Sequence, residues 1–316
     1  MRLLIVDSDV MMCRGYGLRV LSSLRSLESC SYQYPRVLGR DFSGEVVAVG
    51  GGVTRVGVGD EVWGAIFPSQ EGSHQELCLA PESSVSLKPE SLSHLEAASV
   101  PYAGLTAWSA ISSLELRLRP GSRVLVVGGA GGVGLLACQL LEKFFQCRVT
   151  VLAAEHYHLK LRTYGDFQLI DNRKNPEDLQ QLEKVELVLD CAGLGLDTDS
   201  LNVGALLAAG GSFVSLTSPI LSSTDRLGLI PGLVSSLSSV LQMNLTKSSH
   251  QYRWAFYQPD CRALEIFTKL ADQKTLLPTV NSVYNFENLV EAYKKVDEGH
   301  FMGKIVIDME KSDEKL

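Results

Sequence analysis

The chain has 316 residues, of which 45% are hydrophobic and 21% charged, and its net charge is −7 at pH 7. This length predicts two domains, because a domain typically holds roughly 100–200 residues, and the composition is that of an ordinary soluble globular protein. The acidic balance and the lack of any Lys- or Arg-rich run exclude a nucleic-acid-binding protein. The seven cysteines form no CxxC pair, which favours free thiols in a reducing compartment. No stretch predicts a transmembrane segment.

The first hundred residues predict a small, turn-rich β domain. Apolar and β-branched patterns predict strands at 45–49, 74–79 and 85–87. An Ala- and Leu-rich stretch at 96–108, interrupted by Pro101, predicts a helical connector.

From residue 123 onward, predicted strands and helices alternate, which indicates a parallel sheet covered by helices on both faces. After a further helix, the tail returns to strand, helix and strand. The predicted strands are 123–127, 148–152, 167–170, 186–189, 212–216, 279–284 and 304–308, and the predicted helices include 133–145, 157–164, 263–271 and 287–296.

A glycine-rich turn lies between an apolar strand and an amphipathic helix, and Gly128, Gly131 and Gly134 have the spacing GxxGxxG. Gly128 permits the tight turn, and Gly134 lets the helix pack close to the strand. Gly131 and Gly132 leave room for the backbone to approach a pyrophosphate. The helix amino terminus then offers N–H groups and a partial positive charge to phosphates. A glycine-rich hairpin is the alternative, but the strand–turn–helix context favours a dinucleotide site.

The end of the second strand bears on the choice between NADH and NADPH, because an acidic residue there binds a ribose 2′-hydroxyl and repels a 2′-phosphate. This end is apolar at Ala153 and Ala154, and Glu155 stands one step beyond. Basic residues follow and favour NADPH, with a solvated helix face as the alternative. They are His156, His158, Lys160 and Arg162.

Several short segments carry a family resemblance. They are LGRDFSG at 38–44, GDEVW at 59–63, GLTAW at 104–108, GGVG at 131–134 and GKIVI at 303–307. Together they resemble the quinone oxidoreductase (zeta-crystallin-like) branch of the medium-chain dehydrogenase/reductase superfamily, over about residues 9–308. Further segments resemble a mitochondrial NADPH oxidoreductase group of this branch that is linked to coenzyme Q. These are DRLG at 225–228, YRWAF at 252–256 and GH at 299–300.

The resemblance implies an α/β fold in which a Rossmann doubly wound parallel sheet, residues 105–276, is inserted in a GroES-like β-rich catalytic domain formed by 1–104 and 277–316. NADPH is the implied cofactor, in the cleft between the two. Ala130, Gly131, Gly132, Val133 and Gly134 would hold its pyrophosphate, Leu216, Ala255 and Phe256 would line the nicotinamide, and His300, Phe301 and Met302 would close over it.

The resemblance also implies partners and a location. It implies mitochondrial localisation, a small planar acceptor such as a quinone, and an association with a reticulon-type membrane protein. It leaves homo-oligomerisation open, and without the resemblance a cytoplasmic location is expected.

The amino terminus departs from the family, which begins with two or more β-strands that this chain lacks. The Asn of the family's Asn-Pro-x-Asp segment is Val6 here, and only Asp9 is retained. We therefore expect an N-terminally incomplete domain with exposed strand edges, which promote aggregation. An alternative start or a truncated gene explains this most simply.

The 2′-phosphate position departs from the family as well. The family's Ser and Tyr that bind this phosphate are Ala154 and Asn172 here. Both losses weaken phosphate binding, although Asn172 retains one hydrogen-bond donor and Arg173 and Lys174 adjoin it.

No metal site is expected. Gly39-Arg40-Asp41 stands where zinc alcohol dehydrogenases of the superfamily carry Gly-His-Glu, and the connection 67–74 is too short for a zinc lobe. Without zinc, carbonyl polarisation is weak, which favours reduction of a quinone or an activated alkene over alcohol oxidation. Such an acceptor can take hydride from a nicotinamide by positioning, with a proton from water or a side chain.

No catalytic residue is assigned from the sequence. Tyr102 and Tyr252 are candidate general acids, with core tyrosines as the alternative. His74 and His94 are expected to be surface or capping residues. A catalytically weak or inactive dinucleotide-binding protein, with an interaction or regulatory role, is the alternative function, and an enoyl-thioester reductase is a third.

Overall fold

The computed structural model describes residues 2–5, 7–14, 16–17, 19–21, 23, 37–112, 118–171, 173–174, 176–195, 198–246 and 250–309. Val6 and Asn172, which the sequence singled out, lie outside these residues. The chain divides into two compact units, one formed by Met1–Leu105 with Tyr257–Leu316 and the other by Thr106–Phe256.

The first unit contains a mixed β-sheet with helices. Its strands are β1 (Arg2–Ile5), β2 (Asp41–Glu45), β3 (Glu61–Ala65), β4 (Val85–Leu87), β11 (Val280–Asn285) and β12 (Lys304–Asp308). Its helices are α1 (Asp7–Cys13), α2 (His94–Ala97), the start of α3 (Pro101–Ser112), α10 (Cys261–Asp272) and α11 (Leu289–Glu298). Among the described residues the sheet order is β11-β12-β1-β2-β3-β4, with β11 and β12 parallel and the other neighbours antiparallel.

The amino-terminal strand has an interior place in this sheet. β1 lies between β12 and β2 and pairs antiparallel with both. The expected exposed edges therefore do not lie at residues 2–5. The strands predicted at 45–49 and 74–79 are wrong, because β2 ends at Glu45 and residues 76–80 form no regular element. Apart from Glu45, which pairs with Glu61 as the last residue of β2, no described strand pairs with either segment, and a strand needs a ladder partner for its backbone hydrogen bonds.

The second unit is a parallel sheet with helices. Its strands are β5 (Arg123–Val127), β6 (Arg148–Leu152), β7 (Gln168–Ile170), β8 (Val185–Asp190), β9 (Leu207–Ser215) and β10 (Gln251–Trp254). Its helices are the remainder of α3, α4 (Gly132–Gln139), α5 (His158–Leu161), α6 (Pro176–Gln180), α7 (Val203–Leu206), α8 (Pro219–Leu227) and α9 (Leu229–Thr246). Within the described residues the order is β10-β9-β8-β5-β6-β7, all parallel.

This order is that of a doubly wound Rossmann sheet, since the first strand of the unit, β5, is central and the order reverses beside it. The predicted fold class is thereby confirmed. The predicted helix at 133–145 is correct in position, but α4 continues as a π-helical turn over Leu140–Phe144.

The division into units differs from the expected one over 257–276. These residues belong with the first unit, because α10 packs against β4. Phe267 of α10 is fully buried, and its ring lies so close to Gly104 that a Cβ there would meet it at 2.9 Å. No helix in the described part of the chain is long and apolar enough to cross a membrane.

Candidate dinucleotide-binding site

The carboxyl ends of four neighbouring strands meet at one edge of the second unit's sheet. The strand order reverses between β5 and β8, and doubly wound sheets bind ligands in the crevice outside such a reversal. Leu216 and Ala255, predicted to line the nicotinamide, directly follow β9 and β10. Three backbone hydrogen bonds join the ends: Cys191 donates to Val127 (2.9 Å), Leu216 to Asp190 (3.0 Å) and Ala255 to Ser215 (2.9 Å).

The glycine turn follows β5 at this edge. At two of its positions the conformation or the close approach of the backbone disfavours any residue other than glycine. Gly128 has φ +78°, in the left-handed region, and a Cβ there would meet the Cβ of Ala192 at 3.0 Å. At Gly134 a Cβ would overlap the carbonyl oxygen of Gly128, so α4 could not approach the turn. A Cβ at Gly129 would overlap Val151 of β6, a requirement that sequence reasoning missed.

Gly131 differs from its neighbours because it is exposed. A Cβ there would meet only the carbonyl oxygen of Gly128, at 3.4 Å. Gly131 is the N-cap of α4 and has extended backbone, with no side chain capping the helix and no acidic residue in its first turn. The first N–H groups of a helix have no intrahelical acceptor, so this terminus suits a phosphate. Ala130 is buried beside it, and Gly132 and Val133 are half-buried.

A buried carboxylate organises the loop that follows β8. Asp190 accepts hydrogen bonds from the backbone N–H groups of Ala192 and Gly193 (3.0 Å each) through Oδ1, and from that of Gly195 (3.0 Å) through Oδ2. The Ser215 hydroxyl donates to Oδ2 at 2.6 Å. Asp190 therefore holds the β8 loop beside the glycine turn and ties it to β9. Sequence reasoning missed this residue, and its signal was an Asp at the end of a buried strand.

Replacing Asp190 with Ala is expected to lower the free energy of unfolding by about 2–3 kcal/mol, because several buried donors lose their acceptor. Ser215→Ala removes one of these hydrogen bonds and is expected to cost about 1 kcal/mol. Urea denaturation of both variants measures the two values. Equal losses in the two variants would contradict this role for the carboxylate.

The end of the second Rossmann strand carries a charged cluster. Asp171 accepts the backbone N–H of Glu155 (2.8 Å) and that of Arg173 (3.0 Å), and these bonds lower the pKa of its carboxyl. Glu155 forms an ion pair with Lys174, which lowers the pKa of the Glu155 carboxyl and raises that of the Lys174 ammonium. The Arg173 side chain is exposed, and Ala154 lies half-buried next to Glu155.

The remaining predicted site residues have different surroundings. Phe256 follows Ala255 and is 49% exposed, and its carbonyl accepts a hydrogen bond from Ser109 (2.9 Å). In the first unit, Met302 is buried and Phe301 packs against that unit's core. His300, the third residue expected to close over the nicotinamide, is exposed and has φ +58°.

Both candidate general acids are core tyrosines rather than solvent-facing acids. Tyr252 is buried in the second unit's core against Phe213. Tyr102 is half-buried and stacks on Tyr257 with 4.5 Å between ring centroids. The structure therefore favours the alternative that the sequence left open for both residues.

The expected surface or capping position was wrong for His74 only, because the His94 side chain, at the start of α2, is 31% exposed. His74 is buried beneath Gly39, and its Nδ1 contacts the Tyr293 hydroxyl at 3.1 Å. His94 contacts the Ser43 hydroxyl through Nδ1 (2.8 Å) and Glu61 through Nε2 (3.0 Å). Ser43, His94 and Glu61 are linked in the same order as the serine, histidine and acid of a hydrolytic triad. Ser43, however, is fully buried, and its hydroxyl donates a hydrogen bond to a backbone carbonyl. The array is therefore a structural bridge between β2, β3 and α2.

Two family matches cover most of the chain. Residues 5–90 match the alcohol dehydrogenase GroES-like domain, and residues 164–307 match the zinc-binding dehydrogenase family. Together with the doubly wound sheet and its glycine turn, and with the relatives described next, these matches identify the class. The chain belongs to the medium-chain dehydrogenase/reductase superfamily.

Individual members of the superfamily are similar over nearly the whole chain. NAD(P)H oxidoreductase RTN4IP1, mitochondrial, of Danio rerio is 37% identical, over 95% of this chain and 80% of the relative. The Homo sapiens protein of the same name is 34% identical, over 95% and 78%. The structure of the quinone oxidoreductase from Coxiella burnetii is similar with a TM-score of 0.77 and 26% identity, over 98% of this chain and 88% of that one.

Proposed function

We propose that this chain is a zinc-independent, NADPH-dependent oxidoreductase that reduces a quinone or an activated alkene by hydride transfer. The observation that carries the proposal is the meeting of four strand ends at a glycine turn in which Gly128, Gly129 and Gly134 leave no room for a side chain. The relatives named NAD(P)H oxidoreductase and the similar quinone oxidoreductase structure support the reaction class. The names of the relatives also support a mitochondrial location and, through a Caenorhabditis elegans relative named reticulon-4-interacting protein 1, a reticulon-type partner.

In this proposal the turn and α4 hold the cofactor's pyrophosphate. Asp190 positions the β8 loop, and Leu216, Ala255 and Phe256 line the nicotinamide half. When bound, NADPH supplies the hydride, and the protein supplies binding and orientation. The uncapped terminus of α4 fits a phosphate group because its first N–H groups have no intrahelical acceptor and Gly131 places no side chain in the way.

The proposed independence from zinc rests on the side chains that stand where zinc alcohol dehydrogenases of the superfamily carry Gly-His-Glu. Arg40 there is fully buried, with its Nε 3.6 Å from Oδ1 of Asp9, and its Nη1 donates to the carbonyls of Phe67 and Gln70. A guanidinium offers hydrogen-bond donors and no ligand atom. In the described residues, no three His, Cys, Asp or Glu side chains cluster as metal ligands.

The preference for NADPH rests on the cluster that follows β6. The ion pair with Lys174 offsets the charge of Glu155, which would otherwise repel a 2′-phosphate, and Arg173 adds a further cation. Charge-assisted hydrogen bonds from such cations bind phosphate strongly.

Lys174→Glu is expected to lower the ratio of NADPH to NADH affinity about 10-fold, because it adds a negative charge beside Glu155. Fluorescence titration with each cofactor measures the ratio. Lys143→Glu is the matched control: the same charge change at an exposed lysine of the same unit that also forms an ion pair with a glutamate, Glu142, for which little change in the ratio is expected. If both variants change it equally, the ion pair does not govern the preference.

The proposed activity is tested in two stages. Titration with NADPH, followed by its fluorescence, measures binding, and loss of absorbance at the NADPH band in the presence of a panel of quinones measures turnover. Binding with no oxidation by any quinone, enone or enoyl thioester would contradict the reductase proposal and favour the catalytically inactive binding protein. Oxidation by a crotonyl thioester alone would instead identify an enoyl-thioester reductase.

A further inference from the structure

A chain of three hydrogen-bonded side chains leads from the surface of the first unit into its interior. The Glu61 side chain, 59% exposed, contacts Nε2 of His94 at 3.0 Å, and the His94 side chain is 31% exposed. Nδ1 of His94 contacts the hydroxyl of Ser43 at 2.8 Å, and Ser43 is fully buried. Glu61, His94 and Ser43 therefore join solvent to a buried position of β2 through hydrogen bonds alone.

The hydrogen bonds of His94 allow two states that differ by one proton. A carboxylate only accepts hydrogen bonds, so Nε2 carries a hydrogen and donates it to Glu61. When Nδ1 carries no hydrogen, the Ser43 hydroxyl donates to it. When Nδ1 is protonated, it donates to the Ser43 oxygen, and the hydroxyl hydrogen goes to the Val62 carbonyl at 3.1 Å. Both states use the same heavy-atom positions, so a proton arrives or leaves without rearrangement of the fold.

The charged groups around His94 favour the arrival of a proton. Nζ of Lys88 lies 3.4 Å from Oε2 of Glu61, and together His94 and Lys88 lower the pKa of the Glu61 carboxyl. On α2 itself, the Glu96 carboxylate accepts a hydrogen bond from the Ser93 hydroxyl at 2.7 Å. Glu61 is therefore an anion at neutral pH, and a carboxylate beside an imidazole favours its protonated form.

Asp41 lies beyond the inner end of this chain. It stands two residues before Ser43 on β2, so both side chains are on one face of the sheet, with Cα atoms about 7 Å apart. Both residues are fully buried, and Oδ2 of Asp41 has no hydrogen-bond partner in the described part of the chain. A water molecule can bridge such a gap, and a buried oxygen without a partner is an acceptor for it.

Asp41 changes its charge near neutral pH. Burial raises the pKa of its carboxyl to about 7, and the charge of Asp9 adds to the increase, whereas Lys304 and Arg40 reduce it. A group whose pKa lies near the working pH both holds and releases a proton readily.

We propose that Glu61, His94 and Ser43 form a path along which a proton moves between solvent and Asp41. Nδ1 of His94 gives its proton to the Ser43 oxygen while the hydroxyl hydrogen moves, through the bridging water, to the Asp41 carboxylate. Each N–H or O–H bond that breaks is replaced by one that forms, and no electron is transferred. The partly exposed ring of His94 then takes a new proton from solvent.

The purpose of this path rests on the proposed function. Reduction of a quinone or an activated alkene consumes one proton for each hydride that NADPH supplies. Asp41 is the store from which this proton comes, and the path refills the store.

The path is tested without turnover by a jump from pH 5.5 to pH 8.5, which ionises Asp41 and removes its infrared carboxyl band. The band is assigned by its absence in Asp41→Asn. His94→Gln and Ser43→Ala are expected to slow its loss about 10-fold, because glutamine binds no proton at neutral pH and alanine has no hydroxyl. Ser86→Ala, another buried serine of the same sheet, is the matched control and is expected to keep the unmodified rate. Equal rates in all these variants would overturn the path.

The link to the reduction is tested by turnover with the panel of acceptors. His94→Ala is expected to lower kcat about 10-fold with unchanged NADPH affinity, and free imidazole in solution is expected to restore kcat, since it carries protons in place of the lost ring. An unchanged kcat, or a loss that imidazole does not restore in a variant that circular dichroism shows to be folded, would overturn the link. If the unmodified chain oxidises NADPH with no acceptor, the proposed function fails, whereas the pH jump still decides whether the path exists.

Discussion

Gly131→Glu is expected to weaken NADPH binding at least 100-fold, about 3 kcal/mol, while the melting temperature changes by no more than a few degrees. Gly131 is exposed, its φ is −71°, and a Cβ there meets only one atom within 4 Å, so a side chain is accommodated without strain. The added carboxylate would stand at the amino terminus of α4, where the proposed pyrophosphate binds, and would repel it. Isothermal titration with NADPH measures the affinity.

Two further glycine substitutions separate binding from folding. Gly204→Glu adds the same charge to the same unit, at a position where a Cβ meets nothing within 4 Å, and is expected to bind NADPH normally. Gly134→Ala is expected to lose both stability and binding, because its Cβ would overlap the Gly128 carbonyl. Normal binding by Gly131→Glu would contradict the assignment of this turn to the cofactor.

Asp41→Asn is expected to stabilise the protein at pH 8 by up to about 4 kcal/mol. Asp41 is fully buried in the first unit, and its Oδ2 has no hydrogen-bond partner among the described residues. Burial raises the pKa of this carboxyl from 3.8 to about 7, and the charge of Asp9 adds to the increase. Lys304, Arg40 and the backbone N–H of Tyr102 act in the opposite direction without cancelling it.

The direction of the pH dependence follows from proton binding. Between pH 3.8 and about 7 the folded chain retains a proton on Asp41 that the unfolded chain has lost. The free energy of unfolding contributed by Asp41 therefore falls as the pH rises through this window and is constant above it. Asparagine resembles the protonated acid in shape and does not titrate, so the advantage of Asp41→Asn is expected to be small near pH 4 and largest above pH 7.

Urea denaturation of both proteins at pH 4.5, 6 and 8 measures this difference. Asp171→Asn is a control of opposite sign, because backbone N–H donors lower the pKa of Asp171 in the folded chain. The stabilisation by Asp171 is present above pH 3.8 and is lost only as the pH falls below that value through the lowered folded pKa, so this variant is expected to be destabilised about equally at pH 4.5, 6 and 8. A difference between Asp41→Asn and the unmodified chain that is constant with pH would contradict the assignment.

The sequence predicted the second unit well because its elements are local patterns. The apolar runs of β5 and β6 have the bounds expected from their β-branched residues, since a strand covered on both faces is apolar throughout. The turn beginning at Gly128 was predictable because its spacing and its strand–turn–helix context lie within a dozen residues. Asp190 was not, since its donors include Ser215, twenty-five residues away along the chain.

The failed predictions share one physical cause. Segments 45–49 and 74–79 have strand-like composition, but a strand forms only where another strand completes its hydrogen bonds, and that depends on distant residues. Likewise, His74 has no local pattern that reveals its burial. His74 is covered by Gly39 and contacts Tyr293, which is far from it along the chain.

The glycine turn, the alternation of strands and helices, and the superfamily were predictable from local patterns, because each depends on residues close together along the chain. Which side chains are buried, and what they contact, depends on the three-dimensional fold. It placed the strand ends of the second unit at one edge, left Asp41 without a full set of partners, and exposed aliphatic side chains on one face of α9. These features arise from contacts between distant residues, whose free energies no local pattern of residues contains.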